Sequence, residues 1–525
     1  MTRTTPLALS LAASLALVAC GGASDDSEQD IRLSQLGRFE TGIFDEGAAE
    51  IVAHDPGTQR LFVVNADAAS VDVLDIADPS APTRVGTIDA GTIGASANSV
   101  AVANGIVAVA IEADDAQADG QVAFFNAGDL GLITTVTVGA LPDMVTFTPD
   151  GQHVLVANEG EPSDDYATDP EGSVSLIDLS AGVNAATATH LDFHDFNGRE
   201  AELRAAGARV FGPGASVAED LEPEYITVSE NGDRAWVSLQ ENNALAEIDL
   251  TEPAITAVRG LGAKDHSLPG NEIDGNDDDG VNIMQRPVFG LYQPDAVASF
   301  RIDGTDYVIT ANEGDAREYD AFDEETEVSD VTLDPTAFPN AAGVQAAIGP
   351  LTITSTLGDD DGDGDYDALY AFGARSFSIW SDDGLVADSG SEFARITAAR
   401  YGESFNNDND ENDGDSRSDN KGSEPEALDV GEVNGATYAF IGLERMGGIM
   451  VYEVTDPESP RFVEYVNNRD LGGDPEAGTA GDLGPEGIVF VPAAASPVDA
   501  PLLAVGNEIS GSTTLYRIDT VERED

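Results

Sequence analysis

The sequence predicts an all-β fold: a single β-propeller of seven blades, or eight if one degenerate unit forms a blade. Three observations predict it. Short runs of Val, Ile, Ala, Leu and Phe alternate with Gly, Asp, Asn and Pro turns. Helical periodicity is nearly absent, with one helix candidate at 198–210. A unit made of an acid or amide, a strand, a turn, a second strand and then Asn-Glu or a relative recurs along the chain. Repeating three- or four-stranded units of this size, without helices, imply a propeller.

The units follow in order. Glu50 opens the first, which closes near Asn65 and Asp67; Asn98 opens the second, closing at Glu112. Asp143 leads to Glu159, Glu224 to Glu241, Asp295 to Glu313, Glu426 to Glu444 and Glu486 to Glu508. Third strands continue several units, as in "SVDVLDIADP" (70–79), "GSVSLIDLS" (172–180), "ALAEIDL" (244–250) and "GGIMVYEVTDP" (447–457). An eighth, degenerate unit is expected in 351–381, where Gly-Ala-Arg replaces Asn-Glu. The segment "IRLSQLGRFET" (31–41) has no unit of its own and is expected to supply the outer strand of the last blade, which closes the ring and removes an exposed edge.

Antiparallel pairing puts the start of each first strand and the end of each second strand at one rim. The opening acids and the closing glutamates should therefore crowd one channel mouth. The long insertions 160–171, 181–220, 262–292, 314–350 and 396–422 follow a second strand or link blades, so they belong to the same rim and should partly roof it.

Composition narrows the partners. The chain has 525 residues, 41% of them hydrophobic, enough for a large core. It carries 98 acids against 24 basic residues, a net charge of −74, and only two lysines, Lys264 and Lys421. Such a charge repels nucleic acid and anionic membrane surfaces and suits cations. Residues 1–19 read as a signal peptide with a lipoprotein-type box, Leu17-Val18-Ala19-Cys20, and 20–30 as a polar tether before the propeller at 31–525. Cys20, the only cysteine, is the expected lipidation site, so the mature fold has no disulfide. The expected location is the cell envelope, at the outer membrane or periplasmic face, with membrane contact only through that lipid anchor.

Two groups of side chains can carry chemistry. "DDDGDGDYD" (359–367) has the spacing of a calcium loop: Asp359, Asp361 and Asp363 converge, Gly364 permits the turn, Asp365 adds a carbonyl and Asp367 closes the shell. It is similar to calcium loops in the hairpins of integrin-type propellers. "DGNDDDG" (274–280) and "DNDENDGD" (408–415) place their glycine one residue too late and read equally well as plain acidic loops. The second group is the rim: Glu159, Glu224, Glu241, Glu313, Glu426, Glu444, Glu486 and Glu508. So many carboxylates cannot all stay ionised unless Ca2+, another divalent or trivalent metal, or arginine lies among them. Arg317, Arg375 and Arg445 are the expected partners and the only catalytic candidates. Alternatively, these acids accept backbone hydrogen bonds from the next blade.

The motifs "VANEGEPSDDY", "LEPEYITVSENG", "LQENNALAEIDL", "ANEGDAREY", "FGARSFSIW", "RSDNKGSEPEALDVG", "FIGLERMGGIMVYEV", "DLGPEGIVF" and "VGNEISGSTTLY" together resemble the choice-of-anchor I family over nearly the whole mature chain. The resemblance implies an exported, propeller-like surface protein. The family includes bacterial proteins described as alkaline phosphatases and echinoderm cell-surface glycoproteins tied to biomineral deposition. Two functions follow. One is a non-enzymatic, calcium-binding surface propeller that holds a phosphate-containing small molecule, a mineral surface or another partner. The other is a metal-dependent phosphomonoesterase with its site at the rim.

Overall fold

The computed structural model describes residues 29–523. Its strands pair into seven four-stranded antiparallel sheets among the described residues. The first strands of these sheets are Val52–Asp55, Ala97–Ala103, Pro142–Phe147, Ile226–Val228, Val297–Ile302, Pro425–Val433 and Pro485–Val491. Each packs beside the first strand of the next sheet, and the seventh returns to the first.

An apolar seam lies at every one of these junctions, because successive residues of a strand face opposite sides of its sheet. In Arg60–Asn65, Phe62 and Val64 join the seam toward the second sheet, while Leu61 and Val63 join the seam toward the seventh. Ala108 and Ala110 face the third sheet, and Val107 and Val109 the first. The second strands read as continuous apolar runs for this reason: both faces are covered.

The ring closes on the N-terminal strand. Gln29–Glu40 pairs antiparallel with Ser512–Glu522, from Gln29 opposite Glu522 to Glu40 opposite Ser512. Ile31 and Leu33 are buried in the seam between the sixth and seventh sheets. This is the expected place of 31–41. The expected signal peptide, Cys20 and nearly all of the expected tether lie outside the described residues.

The degenerate unit expected at 351–381 does not form a sheet of its own. Ser376–Ser381 is the third strand of the fifth sheet and pairs with Thr305–Asn312. Thr352–Thr354 and Tyr370–Ala371 instead pair with insertion strands Glu325–Glu327 and Phe289–Leu291. The insertions at 262–292 and 314–375 share an apolar cluster of Ile273, Val288, Val328, Leu333, Ile348, Leu351, Ile353 and Leu369, with helix Ala341–Ile348 on its flank. They make a cap with its own core. The helix expected at 198–210 spans only Glu200–Ala205 and stops before Gly207, which adopts a left-handed φ of 94°.

Candidate functional site: an acid-lined channel mouth

The opening acids share a local device. Asp143, Glu224, Asp295, Glu426 and Glu486 each follow a proline. The residue before that proline has a left-handed φ at Leu141 (46°), Gln293 (40°), Glu424 (49°) and Gly484 (66°). Strand register shifts between Pro142 and Val145, Pro425 and Leu428, and Pro485 and Gly487, so the acid falls in a bulge. A bulge leaves a residue out of the ladder and re-aims its side chain. The same turn holds the closing acid. The amides of Glu159, Glu444 and Glu508 donate to the carbonyls of Leu141, Glu424 and Gly484, at 2.9, 2.7 and 2.7 Å.

In the closing motif, asparagine and glutamate divide their roles by alternation. Asn158 is buried and donates to the Ser173 carbonyl and the Ser173 and Ser175 hydroxyls, at 3.1, 3.2 and 3.0 Å. Asn312 donates to the Ser376 and Ser378 hydroxyls, and Asn507 to the Ser512 carbonyl. These amides lock the second strand to the third. The next residue faces the other way, into the mouth.

The carboxylates influence one another around and across the ring. Burial raises Asp143 to about 7, with Glu486 and Glu161 adding to the rise. Asp143 and Glu486 belong to the third and seventh sheets, so their fields meet across the channel. Burial lifts Glu50 to about 9, helped by Glu486, Glu508 and Asp143. Glu224, Asp295 and Glu426 are driven well above the carboxylate range by burial and then by neighbouring acids. Glu159 and Glu444 are raised in the same way, Glu486 is raised by burial, and Glu241 and Glu508 reach about 8.

Two triads come within coordination reach. Asp295, Glu313 and Glu426 offer oxygens all within 4.8 Å of one another, as do Glu313, Glu424 and Glu444. Glu224, Glu241 and Glu426 each keep a buried Oε2 with no hydrogen-bond partner. Backbone amides of a neighbouring sheet therefore do not satisfy these three oxygens.

The cations are arranged differently from the sequence expectation. Lys421 enters from the 396–422 insertion, with Nζ 2.7 Å from Glu313, 3.4 Å from Glu424 and 3.7 Å from Asp315. Arg445 lies 3.0 Å from Glu424 and 3.2 Å from Glu444. Burial alone would raise Glu424, but Lys421, Arg417 and Arg445 pull it down to about 2. Arg317 is buried against Asp220 and Glu222, at 2.5 and 2.8 Å. Arg375 is not a rim partner in this sense: its guanidinium donates to the backbone carbonyls of Asp274, Ser418 and Asn420. Asp67 is exposed. Sequence reasoning missed Glu161, Glu222, Asp315, Glu424 and Lys421 as members of the site. A signal for two of them was present, since Glu222 and Glu424 begin the repeated Glu-Pro-Glu.

The 359–367 loop lies in the cap insertion of the fifth sheet, not in a blade hairpin. Asp359, Asp361 and Asp367 bring oxygens within 4.8 Å of one another. Asp365 groups with Asp334 and Asp367, and the Asp363 carboxylate accepts the Asp365 amide. A cavity of about 370 Å³ lined by Arg209, Phe211, Leu291, Leu357 and Tyr370 contains none of the rim carboxylates.

Strand pairing and rim together define a β-propeller with an acid-lined channel mouth. The sequence profile of the choice-of-anchor I domain matches residues 50–457, and the chain belongs to that family. It is 31% identical over 186 residues to Gigasin-3a of Magallana gigas, a match covering 33% of this chain and 65% of that protein. Among solved structures, hydrazine synthase of Kuenenia stuttgartiensis is similar at a TM-score of 0.45 and 13% identity, covering 90% of this chain and 96% of that one. The Cps50 (Swd1) beta-propeller domain of Myceliophteria thermophila matches at 0.45 and 10%, covering 92% and 99%.

Proposed function

We propose that this chain is an exported surface protein whose channel mouth binds divalent cations, calcium foremost, and through them a phosphate-bearing or mineral ligand. The convergence of Asp295, Glu313 and Glu426, with an unpartnered oxygen on Glu426, carries this reading. Oxygen-only donors suit calcium, and a bound cation removes the like-charge repulsion that otherwise forces the ring to hold protons. Asp359 and Asp361, both exposed, and half-buried Asp367 form a second, peripheral cation site. Family membership supports export, and lipidation at Cys20 would hold the propeller at the cell envelope.

Binding is favoured over phosphate-ester turnover by the state of the arginines. An arginine that assists phosphoryl transfer must be free to meet charge on the transferring group, and none of the three candidate arginines is free. Arg317 is engaged by Asp220 and Glu222, Arg375 by carbonyls, and Arg445 by Glu424, Glu444 and Asn409.

The test is calcium titration of chelator-stripped full-length protein by calorimetry. The Asp295→Asn/Glu426→Gln variant should lose a binding event that Asp89→Asn, at an exposed position, retains. Identical isotherms for the three proteins would end this reading.

A further inference from the structure

The cavity of about 370 Å³ lies where the 181–220 insertion meets the cap. Arg204, Arg209 and Phe211 line it from the insertion. Gly262 and Ala263 line it just after Ala254–Gly260, the last strand of the fourth sheet, and Leu357 and Tyr370 line it from the cap. Gly262 keeps one wall bare. Its φ is a left-handed 75°, and a Cβ placed there would meet no atom within 4 Å.

The charge of this wall is the reverse of the chain's. The protein has 98 acids against 24 basic residues, yet two arginines and, among the described residues, no Asp or Glu line the cavity. The carboxylates that pair with these arginines stand outside the lining: Glu200 lies 2.8 Å from Arg204, and Glu324 pairs with Arg209. Arg209 is 4% exposed. Its Nη1 donates to the Glu241 carbonyl at 2.9 Å, and its Nη2 to Glu324 and to the Thr354 and Thr356 hydroxyls. Its Nε–H has no acceptor. A buried donor without an acceptor is unfavourable, and a ligand oxygen is the group it lacks. The rest of the lining is largely apolar. The Phe211 ring is held in place, with the guanidiniums of Arg209 and Arg317 4.1 and 4.5 Å from its centroid. A cavity of this size, with apolar walls and a few polar groups, suits a small organic molecule. Low-dielectric walls focus the field of the charges nearest the cavity, and here those are positive.

We propose that this cavity binds a small aromatic carboxylate, with its ring among Phe211, Leu357 and Tyr370 and its anionic group toward Arg204 and Arg209. The molecule then sorts its ligands by charge: cations suit the carboxylates of the mouth, and an organic anion suits the cavity. The two sites are neighbours, because Arg209 lines the cavity and holds the backbone carbonyl of the rim residue Glu241. The proposal does not depend on metal at the mouth, and its loss is read separately.

The test is calorimetric titration of the full-length protein with three probes of one shape: naphthoate, neutral naphthamide and cationic naphthylmethylamine. Naphthoate should bind at one site, about tenfold tighter than naphthamide, and the amine should bind least. Leu357→Trp and Ala263→Phe, which fill the cavity from two of its walls, should each abolish the naphthoate event. Asp295→Asn/Glu426→Gln, altered only at the mouth, should bind naphthoate as wild type does. No naphthoate binding up to about 1 mM overturns the proposal. So does equal binding of carboxylate and amine, full binding by either filled variant, or loss of binding in the mouth variant. If neither filled variant folds, exposed Arg204→Gln decides. Naphthoate weakened by about threefold or more, with naphthamide unchanged, supports the proposal, and an unchanged naphthoate isotherm overturns it.

Discussion

The Lys421 ammonium lies 2.7 Å from the Glu313 carboxylate, inside a chain that has only one other lysine. That other lysine, Lys264, is also buried, 2.8 Å from Asp388. Neither lysine serves the surface; both neutralise interior acids. Replacing Lys421 with Met leaves Glu313, Asp315 and Glu424 short of a counter-charge. Removing one partner of a buried pair costs about 3–5 kcal/mol. Lys421→Met should lose stability of that order in denaturant titrations with chelator present, and calcium should restore part of it by occupying the vacated position. Equal losses with and without calcium would show that the mouth does not exchange ammonium for metal.

The raised carboxylates set the pH dependence. An unfolded glutamate titrates near 4.5, whereas the folded protein holds Asp143 to about 7, Glu241 and Glu508 to about 8 and Glu50 to about 9. Between these limits the native state keeps protons that the unfolded chain has released. Stability of the metal-free protein should therefore fall as pH rises from about 4.5 to 9, then level off. Glu424, pulled down to about 2, contributes the opposite limb, lost as pH falls below the unfolded value. A melting-temperature profile in chelator should peak near pH 5. With saturating calcium the decline toward pH 9 should flatten, because metal binding displaces those protons. A metal-free profile that climbs from pH 5 to 8 would contradict the shared acidic mouth.

Adjacent residues of the closing motif should respond in opposite ways. Asn158→Leu removes the donor to the Ser173 and Ser175 hydroxyls and the acceptor of the Gly139 amide, and should cost about 1–3 kcal/mol of stability, with calcium affinity unchanged. Glu159→Gln removes a charge from the mouth. It should leave metal-free stability equal or higher and weaken calcium binding. Denaturant melts and calcium titrations on the two variants check this division; matching phenotypes would refute it.

The closing strand can be tested without truncation. Leu33 is buried in the seam between the sixth and seventh sheets. Leu33→Ala should cost about 2–5 kcal/mol, the usual range for such a cavity. Arg32→Ala, on the outward face of the same strand, should change stability by less than about 0.5 kcal/mol. Both are measured by urea unfolding.

Much of this architecture was legible in the sequence because the blades are local. Each pair of strands such as Arg60–Asn65 and Ser70–Asp75 is separated by a short turn, so strand, turn and strand appear as one spaced unit. The unit at 351–381 was misread because its true partner, Thr305–Asn312, lies across the whole cap insertion, and no local spacing records that pairing. The rim glutamates were legible because they recur at one place in the unit. Lys421 and Arg375 were not, since an insertion that delivers a side chain to a distant strand leaves no periodic trace.

The pairing of Gln29–Glu40 with Ser512–Glu522 also dictates the order of events in folding. Among the described residues, the closing strand is made first and the strand it pairs with last. Until the final segment emerges, the first strand must wait with Ile31 and Leu33 uncovered while the intervening sheets assemble. Sequence separations of this length slow barrier crossing. The waiting interval is also when a foreign strand can capture the open edge, so a holdase that shields this segment should raise the yield of refolded protein.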